Sequence, residues 1–216
     1  VKYKIVILNK FKNIVIDFLS FLPDKLFCQL TYFFKHHRLA KLKNPILFND
    51  KLLSLKLTER NPLYHKLVDK FEVRDFVSKK IGDKYLIPMV GVFNNVKDID
   101  FNSLPNKFAL KLTNGSQNNL ICFDKSKIDW DKSKKDINKW LNKDFYLRTR
   151  EWPYKGLKNK IIIEKLIVPK EGELCDYKFW CFNGVPKFVQ IDSGRFTNHE
   201  RDFYNIEFDK KLDYAI

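Results

Sequence analysis

Acidic residues, glycine and proline are all in short supply in this chain. Of its 216 residues, 26 are Asp or Glu against 41 Lys or Arg, a net charge of +15. That balance points to polyanionic partners, whether nucleotide phosphates, nucleic acid, an anionic membrane face or an acidic polysaccharide, and does not choose among them. Only 7 Gly and 8 Pro punctuate the sequence, which argues against a disordered or low-complexity linker. The cysteines, Cys28, Cys122, Cys175 and Cys181, form no C-x-x-C pair and the histidines complete no ligand spacing, so no metal site is read from them. Cys122 and Cys181 sit in apolar, strand-like runs where a free thiol acts as a small hydrophobe, which fits a reducing, cytoplasmic setting. No unbroken apolar run of about 18 residues exists. In the most apolar stretch, Ile5 to Leu22, the polar residues Lys10, Lys12, Asn13 and Asp17 intervene, and no small-residue cleavage site follows. Repeats and heptad arrays are missing too, which excludes solenoids and filaments.

What is present is apolar bulk. Hydrophobic residues make up 44% and aromatics 15% of the chain, with 20 Phe, enough core for one or two compact units. Ile7, Phe11, Ile14, Phe18 and Phe21 recur at helical spacing and form a single stripe. Packing of this helix on the body is the first reading, and peripheral contact with the inner face of a membrane through residues 3–22 is the second. The chain starts at Val1, so a fragment or a non-standard start is expected. Pro23 and Asp24 open a second helix through Phe34, whose end carries Lys35, His36, His37 and Arg38, a basic cluster suited to the negative end of the helix dipole. Asn49 precedes the apolar run Leu52, Leu53, Leu55. Asn61 and Pro62 open a longer helical region that ends near Gly82.

Beyond Gly82 the pattern changes to strands. Ile87 to Phe93 reads as one, and Lys107 to Thr113 as a second in which Phe108, Leu110 and Leu112 alternate with Lys107, Ala109 and Lys111. Leu120 to Phe123 returns, making Thr113 to Asn119 a hairpin connection. Asp131 to Asn142 is helical. Ile161 to Val168 reads as a buried strand, and Tyr177 to Phe182 and Lys187 to Asp192 flank the turn Asn183-Gly184. The fold class is α+β, a helical N-terminal third followed by antiparallel hairpins.

Neither G-x-x-x-x-G-K nor G-x-G-x-x-G occurs, so the two commonest phosphate-loop fingerprints are excluded. Three other features carry chemistry. Lys111 points away from the apolar face of its strand beside the polar loop Asn114-Gly115-Ser116, an arrangement that fits a phosphate cover and equally fits an ordinary turn. Glu164 and Lys165 interrupt the apolar run Ile161 to Ile167, where charges without partners would be costly to bury. An edge strand with solvated charges is the alternative. Asp176-Tyr177-Lys178 places a carboxylate at the start of a strand, suited to ribose hydroxyls or to a simple ion pair.

In order, these pieces resemble the ATP-grasp superfamily, and more closely its TupA-like branch, found with bacterial surface-polysaccharide and teichuronopeptide genes. The resemblance runs from about Asp24 to Phe208 and is carried by Asn61-Pro62-Leu63-Tyr64, Val68-Asp69-Lys70, Val73-Arg74, Tyr85-Leu86-Ile87-Pro88, Glu151-Trp152-Pro153-Tyr154, Asp176-Tyr177-Lys178-Phe179 and Arg195-Phe196-Thr197-Asn198-His199. It implies a helical region over 1–82, a first ATP-grasp subdomain over 83–160 with the phosphate-covering loop, and the start of a second over 161–216. It implies ATP as cofactor, with Lys70 and Lys111 facing the phosphates and Gly115 and Ser116 covering them. Glu164, Lys165, Leu166 and Ile167 would form the adenine hinge, Asp176 the ribose acid with Lys178 beside it, and Arg201 or His199 a cation at the transferred phosphate. Complete relatives would be carboxylate–amine ligases that work through an acyl phosphate. The expected second substrate is an acidic glycan or another carboxylate, and nucleic acid is not expected.

Two departures qualify that reading. The family's usual His-Gly-Ser-Gly-Gly loop is here Asn114-Gly115-Ser116-Gln117-Asn118, and losing two glycines implies a stiffer lid, better matched to binding than to turnover. The acidic Mg2+ ligands of the family belong to late strands expected beyond Ile216, which implies a truncated or degenerate copy, or a second polypeptide. A glycosyltransferase of polysaccharide biosynthesis is the rival enzyme class, and its Asp-x-Asp motif has one match, Asp98-Ile99-Asp100. A basic module binding nucleic acid or membrane is the non-enzymatic rival.

Overall fold

The fold is taken from a computed structural model in which residues 18–169, 174–194 and 198–213 are described. They fall into two compact units, Val1–Leu166 and Ile167–Ile216. Helices come first and two antiparallel four-stranded sheets follow, an α+β architecture.

Among the described residues, the first unit has helices α1 (Asp24–His36) and α2 (Phe48–Thr58). α1 ends within the basic cluster: His37 adopts the left-handed conformation at φ 54° and donates its N–H to the Phe33 carbonyl. Arg38 then turns back onto Asp50 of α2, donating to both carboxylate oxygens at 2.9 and 3.1 Å, while Tyr32 donates its hydroxyl to the same group at 2.5 Å. The fork of Arg38, followed by the Tyr32 hydroxyl, holds the Asp50 carboxyl down to about 2. Phe27, Cys28, Tyr32, Ala40 and Leu53 close a small core between these helices.

The helical region expected between Asn61 and Gly82 consists of two short helices, α3 (Leu63–Val68) and α4 (Glu72–Ile81). Asn61 caps the first as expected, accepting from the Leu63 N–H at 3.0 Å. The break has a local cause: the buried Asp69 carboxylate accepts the N–H groups of Phe71 and Glu72, restarting a helix there. α2 also starts one residue before the expected cap, at Phe48.

Strands β1 (Met89–Phe93), β2 (Phe108–Leu112), β3 (Asn119–Cys122) and β4 (Ile161–Lys165) form the first sheet in the order β1-β4-β2-β3. Phe108, Leu110 and Leu112 occupy one face together with Ile161 and Ile163, and α5 (Trp130–Leu141) covers them with Ile137 and the flanking Trp130 and Trp140. Each fully buried aliphatic or aromatic side chain contributes about 1.5–3 kcal/mol, so this single cluster dominates the unit. Asp129 starts α5 by accepting the Lys132 N–H, and a short helix α6 (Phe145–Thr149) follows, started the same way by Asp144.

The second unit is a meander of β5 (Asp176–Phe182), β6 (Val185–Ser193), β7 (Glu200–Tyr204) and β8 (Lys211–Leu212), paired in chain order. The turn between β5 and β6 is Asn183-Gly184 at φ 50° and 77°, the two positive values that an Asn-Gly hairpin turn requires. Val189 of β6 and Phe203 of β7 are buried apolar side chains of this sheet.

Candidate functional site

In the first unit, four charged side chains gather on the sheet face opposite the α5 core. Strand alternation puts Lys111 there, because its neighbours Leu110 and Leu112 fill the core. Glu164 is on the same face of β4, where it is 7% exposed. β4 lies between β1 and β2, so Glu164 does not belong to an edge strand and its charge is not solvated. Lys111 Nζ meets its Oε2 at 3.0 Å and Arg74 Nη1 its Oε1 at 3.0 Å. The remaining Arg74 Nη2 donates to the Ile87 carbonyl at 2.7 Å. A buried carboxylate with one cation on each oxygen has its desolvation offset twice.

Lys70 arrives through the helix break. Its backbone N–H donates to the Thr113 carbonyl at 2.6 Å and its Nζ to the Gly115 carbonyl at 2.9 Å. Burial, and then repulsion from Lys111, lowers its pKa, which marks it as a partly desolvated cation beside a like charge. Two lysines at the root of one loop form a field that an anion would relieve.

The loop is firmly rooted. Thr113 donates its N–H to Lys160 at 2.9 Å, Asn114 Nδ2 reaches the Lys158 carbonyl at 3.4 Å, and Leu112 N–H closes onto Asn118 at 3.2 Å. Thr113 and Asn114 are buried, while Ser116 and Gln117 at the tip are exposed. Gly115 has φ +75°, a backbone region that side chains rarely adopt, and packs directly on Phe145. A cleft of about 380 Å³ also borders this loop, lined by Gly115, Ser116, Lys143, Phe145 and Arg148. Lys70, Lys111 and Glu164 are not among its walls.

Glu164, Lys165, Leu166 and Ile167 are contiguous at the end of β4. The Lys165 N–H is already committed to the Pro88 carbonyl at 2.9 Å, and its side chain is exposed.

In the second unit, Lys178, Arg201 and His199 surround a residue that the sequence reading passed over, Asp192. This carboxylate is 6% exposed. It accepts from Lys178 Nζ, from Arg201 Nε at 2.7 Å and from Gln190 Nε2 at 2.9 Å, and His199 Nε2 lies 3.8 Å away. Arg201 and then Lys178 push its pKa far below the usual carboxylate range. Asp176 stands directly across from Asp192 in the strand register. Of the predicted residues in this unit, therefore, Lys178, Arg201 and His199 converge on one buried anion, and Asp176 is its cross-strand neighbour.

Asp98 and Asp100, the Asp-x-Asp match, are engaged locally. Asp98 accepts the Asn95 N–H in a capping box, Asp100 accepts the Asn102 N–H, and Ile99 between them is buried. Among the described residues no three His, Cys, Asp or Glu side chains are grouped as a metal site would need, and no helix is long and apolar enough to cross a membrane.

The TupA-like ATP-grasp family model matches residues 50–215. The chain belongs to the TupA-like ATP-grasp family. Comparisons with curated proteins and with solved structures gave no significant match. The ATP-grasp match spans α3, α4, both sheets and every predicted site residue, and α1 lies before it. Arg74 is the other residue of the cluster that had been given no role. It follows Val73 in a segment that carries the resemblance, and only the pairing of α4 with β4 shows what its guanidinium touches.

Proposed function

We propose that this ATP-grasp chain binds ATP, with the phosphates held by Lys70 and Lys111 and covered by Gly115 and Ser116. The observation that carries the reading is the meeting of Lys70, delivered by a helix break, with the loop that follows the Lys111 strand. In the same reading the backbone of Glu164, Lys165, Leu166 and Ile167 forms the adenine hinge. From the second unit, Asp176 takes the ribose hydroxyls with Lys178 beside it, and Arg201 or His199 is the cation at the transferred phosphate. Family resemblance supports these roles, together with the reaction class, a carboxylate–amine ligase of bacterial cell-surface polysaccharide biosynthesis. The net charge of +15 supports an acidic glycan or other carboxylate as second substrate. Mg2+ accompanies ATP in this reading, but the described residues offer no cluster to hold it and no step is assigned to it.

A cytoplasmic setting at the inner membrane face, with contact through residues 3–22, belongs to the same proposal. Most of that segment lies outside the described residues.

Thermal unfolding with ATP, ADP and a UDP-sugar tests the core of the proposal. A ligand at 100 times its Kd stabilises the folded state by about 2.7 kcal/mol. Millimolar ATP is expected to raise the melting temperature, Lys111→Ala to remove most of the rise, and a UDP-sugar to have no effect. A melting curve indifferent to ATP, or a response equal in Lys111→Ala, sinks the reading, and a response to UDP-sugar alone transfers it to the glycosyltransferase class.

A further inference from the structure

Lys111 as it stands is paired with a carboxylate, an awkward state for a residue that is to attract phosphate. Its Nζ is 3.0 Å from Glu164 Oε2. Left as an isolated pair, the two charges would cancel, and a phosphate would have to take the lysine from a buried anion with no other partner, which is costly. Arg74 alters that balance. Its Nη1 holds the other oxygen, Oε1, at 3.0 Å, and its Nη2 is fixed on the Ile87 carbonyl at 2.7 Å. The Arg74 and Glu164 side chains are 17% and 9% exposed, that of Lys111 27%, so the lysine is the open end of the triad.

We propose that Arg74 is a positioning residue of the nucleotide site: it neutralises Glu164 and thereby leaves the charge of Lys111 available to a polyphosphate. The inference rests on the nucleotide reading above. With Arg74 present, the triad carries one net positive charge and Lys70 adds a second. Without it, the triad is neutral. The residue is also delivered economically, because Asp69 restarts the chain as α4 immediately around Lys70, and that turn carries Lys70 to the loop and Arg74 to Glu164.

The test uses the full chain, Arg74→Met and the double variant Arg74→Met/Glu164→Gln, with ATP affinity measured by calorimetry at fixed ionic strength and folding checked by circular dichroism. Removing one unit charge near the phosphates in a partly solvated site is expected to weaken ATP about tenfold in Arg74→Met. The hinge role of Glu164 lies in its backbone, which Glu164→Gln keeps, so the double variant, in which the triad again carries one positive charge, is expected to return to within about threefold of the unsubstituted protein. Both variants lose the bond to Ile87, so a role confined to tethering α4 predicts the same loss in both. No loss in Arg74→Met, or a tenfold loss that persists in the double variant, overturns the proposal. If Arg74→Met alone does not fold, the double variant, which removes the Glu164 carboxylate that Arg74→Met leaves short of a partner, decides the matter by the same threshold. An unsubstituted protein that takes up no ATP overturns the nucleotide reading and this inference with it, whereas ATP binding without recovery overturns this inference alone.

Discussion

Gly115→Ala adds a methyl group at the tightest point of the candidate site, and two separate costs follow. The first is in the backbone: at φ +75° an L side chain costs about 1–2 kcal/mol. The second is a contact. An ideal Cβ at Gly115 falls 2.9 Å from Cδ2 and 3.3 Å from Cγ of Phe145, and that ring is braced edge-on against Tyr154 with centroids 4.6 Å apart. Overpacking of this kind costs about 1–3 kcal/mol, so the substitution is expected to cost about 2–5 kcal/mol in total. Gly156 supplies the control, because it has the same φ of +75° and nothing within 4 Å of its would-be Cβ. Gly156→Ala should therefore show the backbone cost alone. The assay is urea unfolding followed by tryptophan fluorescence in a Trp180→Phe background, which leaves Trp130, Trp140 and Trp152 as reporters of the first unit. Equal costs at the two glycines would refute the Phe145 contact, and a cost below about 0.5 kcal/mol at both would refute the positive φ itself.

Ile163 is fully buried against the α5 side of the sheet, and Ile163→Ala is expected to lower the unfolding free energy of the first unit by about 2–5 kcal/mol; a loss under 1 kcal/mol, read from the same urea curves, would show that the site is not packed. Asp50 has its pKa lowered in the fold from 3.8 to about 2, so its contribution is complete above about pH 4 and disappears as the pH falls towards 2. Asp50→Asn should accordingly be less stable at neutral pH and show a flatter loss across that acid window, and an acid limb unchanged in slope would contradict the Arg38 and Tyr32 pairing. Cys181 is exposed whereas Cys28 and Cys122 are buried, with thiol pKa values raised by that burial. A disulfide reagent followed by mass spectrometry should modify Cys181 in the native protein and reach Cys28 and Cys122 only on unfolding, so prompt modification of Cys28 would place it outside the α1–α2 core.

Much of the fold was legible because its signals are local. Strict alternation in Phe108 to Leu112 identified both the strand and the outward lysine, and Asn183-Gly184 identified its hairpin. Helix boundaries were less legible: Asp69 reads as an ordinary surface acid until its carboxylate is seen capping α4. The partners of Glu164 were out of reach for a different reason, since Arg74 is 90 residues away and the pairing depends on β4 entering between β1 and β2. Asp192 was hidden by a register shift. Counting back from the turn pairs Cys181 with Pro186, but Trp180 then faces Phe188, so Lys187 is an extra residue that moves the rest of β5 by one place. Without that bulge Lys178 would face Val189; with it Lys178 faces Gln190 and its ammonium reaches Asp192. Simple alternation cannot anticipate such a shift. Both β7 and β8 are short strands without a hydrophobic run to announce them.

The strand order β1-β4-β2-β3 also bears on how the chain acquires its structure during synthesis. β2 and β3 are hairpin neighbours and can pair as soon as both have left the ribosome. β1 leaves before either of them, yet among the described residues its partner is β4, which starts at Ile161. Between those moments β1 has an unsatisfied edge, and so does the inner side of β2. At about 5–20 residues per second this interval lasts several seconds, the period in which intermolecular strand pairing competes with correct folding. Chains interrupted before Ile161 would retain both open edges permanently, and are expected to depend on chaperones or to aggregate.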